Sequence, residues 1–274
     1  MIKKDKLLEL MQTKVYKPLT EDELVEKLSQ HEDEAAPWRQ LIAELEQEGI
    51  IVRTRYGRYG LPQMMNLVVG HLQGNVRGFA FLLVPGREDD VFISASNLNG
   101  AMHGDKVIVR LLPRRQGKKE EGEVIRILER ANEFIVGRFE GDDQFGFCQP
   151  DERRISQDIF IPRGDTGGAQ TGDKVVVRIT RFPAGRHPAT AVVEEVLGKV
   201  GDPGVDVLAV VRQYDLPEEF PADVKHQVAQ MRLEITDADL NGRLDLRHWP
   251  TITIDGPDAK DLDDAISLQR LPHG

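Results

Sequence analysis

The chain is nearly without cysteine: Cys148 is the only one in 274 residues. Intramolecular disulfides are therefore excluded, and a reducing, cytoplasmic setting is expected. Long apolar runs are also missing, so no membrane span is expected. The opening Met1-Ile2-Lys3-Lys4-Asp5 lacks an apolar signal region, so export is not expected. Nor is there a surplus of positive charge. Lys and Arg number 36 against 46 Asp and Glu, a net charge of −10. Bulk charge thus argues against a polyanion binder, but the distribution does not. Residues 200–274 hold 15 acidic and 7 basic groups, residues 66–199 hold 19 of each, and residues 1–65 hold 12 and 10. Most of the negative excess lies in the last quarter, which leaves local basic surfaces elsewhere. The length allows two or three domains, with the 40% hydrophobic and 30% charged content of an ordinary soluble protein.

What the chain does have is a dense acidic end. Asp255, Asp258, Asp261, Asp263 and Asp264 fall within Thr253-Ile254-Asp255-Gly256-Pro257-Asp258-Ala259-Lys260-Asp261-Leu262-Asp263-Asp264-Ala265. Like charges this close disfavour one another's ionised form. A hard divalent cation among the oxygens relieves that cost, and Mg²⁺ keeps positions open for water or phosphate. A solvated acidic loop is the plain alternative. The calcium-loop pattern of an EF-hand, with Gly at its sixth position and Glu at its twelfth, is absent. Thr251-Ile252-Thr253-Ile254 reads as a strand ending at Asp255, Gly256-Pro257-Asp258 as a turn, and Ala265-Ile266-Ser267-Leu268 as a second strand.

The middle of the chain repeats itself. Gly104-Asp105-Lys106-Val107-Ile108-Val109-Arg110 returns 68 residues later as Gly172-Asp173-Lys174-Val175-Val176-Val177-Arg178. Asp90-Val91-Phe92-Ile93 returns as Asp158-Ile159-Phe160-Ile161, and Gly78-Phe79-Ala80-Phe81 as Phe145-Gly146-Phe147. Short β-rich runs between Gly, Pro, Asn and Asp are the pattern of two small β-barrels. Alternation puts Phe79 with Phe81, and Phe145 with Phe147, on one face of each strand, next to strands bearing Phe92 and Phe160. Facing inward, these rings fill a core. Facing outward, they make a stacking platform for unpaired bases. Arg77, Arg110, Arg114, Arg115, Lys118 and Lys119 surround the first unit, and Arg138, Arg163, Arg178, Arg181, Arg186 and His187 the second. Pro113 to Lys119 reads as an exposed loop, either a phosphate contact or a solubilising one.

Ahead of the repeats, three helices are predicted: residues 4–12, residues 21–29 behind a Thr20/Glu23 capping box, and residues 37–48 closed by Gly49. A basic hairpin follows, Ile50 to Leu61, with Arg53, Arg55 and Arg58. Three helices and a hairpin predict a winged helix-turn-helix. Glu44, Glu46 and Glu48 make the third helix acidic, which argues against its reading a DNA groove. The wing arginines are the expected RNA contacts, with protein docking as the alternative.

The acidic end resembles the opening signature of the catalytic domain of the ribonuclease II/R family of 3′–5′ exoribonucleases. Gly242-Arg243-Leu244-Asp245-Leu246-Arg247 is similar to the segment that leads into that domain. Gly78-Phe79-Ala80-Phe81 with Val91-Phe92-Ile93-Ser94 resembles the paired RNA-binding motifs of cold-shock domains, which are OB-folds. The second unit is a weaker match. Pro257 departs from the acidic residue common at that place in the family. The resemblance implies that Asp255, Asp261, Asp263 and Asp264 are the active-site aspartates, holding Mg²⁺ and setting a water against the phosphodiester; it does not divide these roles among them. It implies Phe79, Phe81, Phe92, Phe145, Phe147 and Phe160 as RNA-binding residues. The substrates implied are single-stranded RNA and RNA with a 3′ overhang. The winged helix points to the ribonuclease R branch.

The expected architecture is mixed but mainly β. A winged helix-turn-helix (1–65) precedes two tandem OB-fold barrels (66–130 and 131–199). A connecting segment follows (200–250), with a strand over Val207 to Val211 and a helix over Ala222 to Met231. The last part (251–274) is the start of a catalytic domain. So short a start is expected to be inactive by itself. A non-catalytic RNA-binding protein built from the same modules is the competing reading, separated from the first by whether a catalytic domain continues beyond Gly274. A DNA-binding regulator fits less well, since tandem OB units favour single strands.

Overall fold

Helix signals in the first third of the chain are realised closely. The computed structural model describes residues 2–13, 17–29, 31, 34–113, 119–142, 144–185, 187–232, 234–262 and 264–272. It opens with α1 (Ile2–Gln12), the short strand β1 (Leu19–Thr20), α2 (Glu21–Leu28) and α3 (Ala35–Gln47). The capping box forms at α2. Glu23 N–H donates to Thr20 Oγ1 (3.3 Å), and Thr20 N–H donates to a Glu23 carboxylate oxygen (2.8 Å). Helical spacing brings Leu7, Met11, Leu24, Leu28, Trp38, Ile42 and Leu45 into one buried cluster. The hairpin follows as β2 (Val52–Arg53) and β3 (Arg58–Gly60), and β3 also pairs with β1, giving the antiparallel order β1-β3-β2.

Two closed five-stranded barrels come next. The first contains β4 (Leu67–Gly74), β5 (Ala80–Leu83), β6 (Val91–Ile93), β7 (Lys106–Leu111) and β8 (Glu121–Glu129), in the order β4-β5-β6-β8-β7. The second contains β9 (Phe134–Gly141), β10 (Gly146–Pro150), β11 (Ile159–Ile161), β12 (Asp173–Arg181) and β13 (Thr190–Lys199), in the equivalent order β10-β11-β13-β12-β9. Each has one parallel pair, β6 with β8 and β11 with β13. Period-two alternation fills both interiors: Leu72, Leu82, Val91, Ile93, Val107 and Val109 in the first, Phe139, Cys148, Ile159, Ile161, Val175 and Val177 in the second. Cys148 is thus a core residue. Burial pushes its thiol up to about 12, so it has no thiolate character at neutral pH.

The barrels are held together by a buried network. Asp105, fully buried, accepts from Arg130 Nη1 (2.9 Å) and from the backbone N–H groups of Met102 (2.9 Å) and Ala131 (3.0 Å). Arg130 also donates to the Gly100 carbonyl (2.8 Å), and its guanidinium lies 4.0 Å over the ring of Phe182 from the second barrel. Gly100 has φ +83°, and a Cβ there would fall 2.1 Å from the Pro183 carbonyl oxygen. Only glycine lets the two backbones approach so closely. The helical module is joined to the first barrel by Arg126, which bonds Glu46 (2.8 Å) and the Arg53 carbonyl (3.4 Å), above buried Val52, Leu67 and Ile108.

One expected strand is a helix. Val207 to Val211 lies within α4 (Val205–Gln213). A valine-rich run favours a strand by propensity, but context decides. Val205 and Ala209, one helical turn apart, are buried, and Ala209 packs against Val136 and Val176 of the second barrel. Arg212 clamps the helix end to Glu195 through two bonds (2.6 and 3.1 Å). This segment is therefore part of the second barrel's packing and not a free connection. Residues 1–217 form one compact unit and residues 218–274 another. The second unit carries α5 (Ala222–Gln230), α6 (Asp237–Leu240) and the antiparallel pair β14 (Thr251–Ile252) and β15 (Ile266–Ser267). None of its described residues is buried.

Candidate nucleic-acid interface

Strand alternation sends Ala80, Leu82, Val91 and Ile93 inward, and so sends Phe79, Phe81 and Phe92 out. The three rings form one cluster, with centroids 5.4–5.9 Å apart. Register accounts for it: Phe81 lies directly opposite Phe92 in the β5–β6 ladder. The second barrel repeats the arrangement. Phe147 lies opposite Phe160, and Phe145, Phe147 and Phe160 are 5.6–6.4 Å apart. None of the six rings belongs to a barrel core. The first triad is half-buried, whereas Phe145 is 50% and Phe147 37% exposed. Rings left half-buried or exposed outside the cores cost free energy, because apolar surface in water is unfavourable.

The charges around the two triads differ. The ammonium of Lys119 sits 5.7 Å from the Phe81 centroid. Many of the other basic groups are already paired: Arg110 with Glu123 (3.9 Å), Arg138 with Glu140 (3.6 Å), Arg178 with Glu194 (2.6 Å). Arg181 donates to the Thr190 hydroxyl (3.1 Å). Arg114, Arg115, Lys118 and Arg186 lie outside the described residues.

Between the loops of the two barrels lies a cleft of about 770 Å³, which Phe79 lines together with Ser96, Asn99, His103, Arg154 and His187. Arg154 is spanned by Glu152 at 2.8 and 2.7 Å, and this bond holds the Glu152 carboxyl down at about 2. Burial, with the Arg154 charge adding to it, pushes the His103 pKa below its usual value. Sequence reading missed this cleft, because its walls come from loops that meet only when the barrels dock.

The three wing arginines are not equivalent. Arg58 Nη1 donates to the Pro18 carbonyl (2.9 Å) and to Glu23 (3.3 Å), so it braces the helical module. Arg53 lies 5.8 Å from the Tyr59 ring. Arg55 lies 4.7 Å over the ring of Tyr56 and donates to its hydroxyl (2.6 Å), and Tyr56 is 71% exposed. Arg55 with Tyr56 is the pair at the tip of the hairpin.

The acidic end carries the four aspartates expected to hold a metal. Asp255, Asp261 and Asp264 are all exposed, and Asp263 lies outside the described residues. Among the described residues no three Asp, Glu, His or Cys side chains gather closely enough to hold an ion. Carboxylate oxygens suit Mg²⁺ in kind, and no catalytic step follows from the three described aspartates. Asp258 sits in the turn closed by Ala259 N–H on the Gly256 carbonyl (3.1 Å). No helix among the described residues is long and apolar enough to cross a membrane.

Comparison with known proteins agrees with the barrels. A ribonuclease B OB domain family matches residues 70–127, and a cold shock domain family matches residues 147–221, α4 included. Ribonuclease R of Acidithiobacillus ferrooxidans is 35% identical over 260 residues, covering 94% of this chain and 59% of that protein. Ribonuclease R of Escherichia coli K12 is 36% identical over 96% of this chain and 32% of its own length. That of Thermotoga maritima is 35% identical over 94% and 37%. The solved structure of Mycoplasma genitalium RNase R in complex with ribose methylated single-stranded RNA shares the fold, with TM-score 0.62 at 23% identity over 75% of this chain and 33% of that one. The chain thus spans between about a third and three fifths of the length of these curated relatives. Across nearly all of its own length, the chain belongs to the ribonuclease R family.

Proposed function

We propose that this chain captures unpaired RNA on two aromatic platforms and delivers it to a 3′–5′ exoribonuclease active site completed by a longer protein. The observation that carries the reading is the pair of outward phenylalanine triads at equivalent places on two barrels. Every base has a π-face, so such platforms hold single strands without demanding one sequence, at ~1–3 kcal/mol per stacked base. The RNase R of Mycoplasma genitalium, which shares this fold, was solved in complex with single-stranded RNA. The helical module is read as a winged helix-turn-helix whose tip, Arg55 with Tyr56, adds a further RNA contact.

In the longer protein Asp255, Asp261, Asp263 and Asp264 would be drawn together around Mg²⁺. That protein would work in the cytoplasm on single strands and 3′ overhangs, releasing nucleoside 5′-monophosphates. The 274-residue chain binds RNA and does not degrade it.

Fluorescence anisotropy with a 5′-labelled single-stranded RNA tests the capture step. The double variants Phe81→Ala/Phe92→Ala and Phe145→Ala/Phe147→Ala are each expected to weaken binding about 5- to 150-fold, the loss of one stacked base. Unchanged affinity in both removes the platform reading. For the longer protein, 3′-labelled RNA and Mg²⁺ should release labelled mononucleotide, and Asp263→Asn should stop the release.

A further inference from the structure

The outward row of the first barrel mixes aromatic and acidic chemistry in a definite order. Register places Gln73 opposite Phe81, Phe81 opposite Phe92, and Phe92 beside Glu121 in the parallel pair of β6 and β8. Paired positions share a face, and adjacent strands lie ~4.8 Å apart. The intervening residues Leu72, Leu82, Val91, Ile93 and Val124 all point into the core, which fixes the row on the outside. Two rings are therefore bracketed by an amide and a carboxylate. Glu121 is only half exposed, yet among the described residues its carboxylate has no hydrogen-bond or ion-pair partner. Its neighbours are committed: Glu120 pairs with Arg87 (2.7 Å), and Glu123 faces Arg110 (3.9 Å).

The second barrel lacks this feature. Its equivalent row reads Glu140, Phe147, Phe160, Thr190. Thr190 stands in the place of Glu121 and is engaged by Arg181 (3.1 Å). Glu140 is bonded by Gln149 (3.2 Å) and lies 3.6 Å from Arg138.

A carboxylate uncommitted among the described residues, beside a platform for a polyanion, lowers affinity unless a donor on the ligand meets it. A carboxylate only accepts hydrogen bonds, through two oxygens side by side. Guanine alone among the RNA bases presents two adjacent N–H donors aimed the same way, N1–H and the N2 amine. Adenine and cytosine offer an amino group next to an acceptor, and uracil one N–H between two acceptors. We propose that the first platform prefers guanine, with Phe81 and Phe92 seating the base and Glu121 reading its Watson–Crick edge. This rests on the proposed stacking role of the triad. The second platform, with no such carboxylate, stacks bases without choosing among them.

The test uses the 274-residue chain and uridine hexamers carrying one central guanosine, inosine or uridine. Inosine stacks like guanosine but lacks the N2 amine. The guanosine oligomer is expected to bind about fivefold or more tightly than the inosine one, the lower range for a bidentate base contact. Glu121→Gln, which keeps a single acceptor, should bring that ratio to within about twofold. Equal binding of guanosine and inosine oligomers by the parent chain, or an undiminished ratio in Glu121→Gln, overturns the proposal. Phe81→Ala/Phe92→Ala separates the two levels. If it leaves all three affinities unchanged, the stacking role itself is wrong; if it weakens all three while Glu121→Gln alters no ratio, only the guanine preference is.

Discussion

At the residue scale, single atoms decide what the barrels tolerate. A Cβ at Gly137 would lie 2.3 Å from the Gln149 carbonyl oxygen and 2.5 Å from the Cys148 sulfur. Backbone and core thus close on that position from two sides. Gly137→Ala is expected to destabilise the chain by about 1–3 kcal/mol, the usual range for overpacking, read as a lower urea midpoint. Acid sensitivity also belongs to single groups. His103 has a folded pKa below 6.5, so the unfolded chain takes up a proton that the folded chain refuses. Its contribution is intact above about pH 6.5 and is lost as pH falls below it. Glu152 is held at about 2 against an ordinary 4.5, so its contribution is present above about pH 4.5 and fades from there toward 2. The urea midpoint should therefore drop between pH 7.5 and 5.5, and His103→Gln should flatten that drop. An identical pH dependence in the variant would contradict the assignment.

At the scale of elements, the strands were legible and their docking was not. The 68-residue repeat and the alternation of Phe79, Ala80 and Phe81 state the barrels and put the rings on one face in local terms, but which face was open until the resemblance to cold-shock domains pointed outward. The helical module was equally open, because Thr20 and Glu23 mark a helix start by their own spacing. Val207 to Val211 misled because propensity speaks for the isolated chain, while α4 is set by what Ala209 meets on the second barrel. The cleft and the Asp105–Arg130–Phe182 network are equally non-local. In that network, Arg130→Ala leaves Asp105 buried with only its two backbone donors. The cost should lie toward the lower end of the about 3–5 kcal/mol typical for breaking a buried pair. Differential scanning calorimetry checks it, and a melting point within error of the parent chain would mean that Arg130 is not a fastener.

At the scale of the whole molecule, the proposed capture of RNA has to work in a chain of net charge −10. Many of the described basic groups are internally paired, so the proposed capture relies on stacking. Lys119, beside Phe81, is a described cation near the first platform, where a bound strand's phosphate would lie. Lys119→Gln should shift the slope of log K against log salt by about 0.7, one phosphate contact on a single strand. For the aspartates at the far end, the residues alone leave a solvated loop and a metal site both open; the family resemblance supplies the metal reading, while residues 218–274 bury no described side chain. Binding by this chain should accordingly be indifferent to Mg²⁺. The most direct measurement is anisotropy of labelled single-stranded RNA with chelator present, comparing the parent chain with a variant carrying Ala at Phe81, Phe92, Phe145 and Phe147. Binding that survives the chelator and falls by at least about 25-fold in the variant, the product of two lost stacks, is the predicted result; binding that needs Mg²⁺, or that persists unchanged without the four rings, would contradict it.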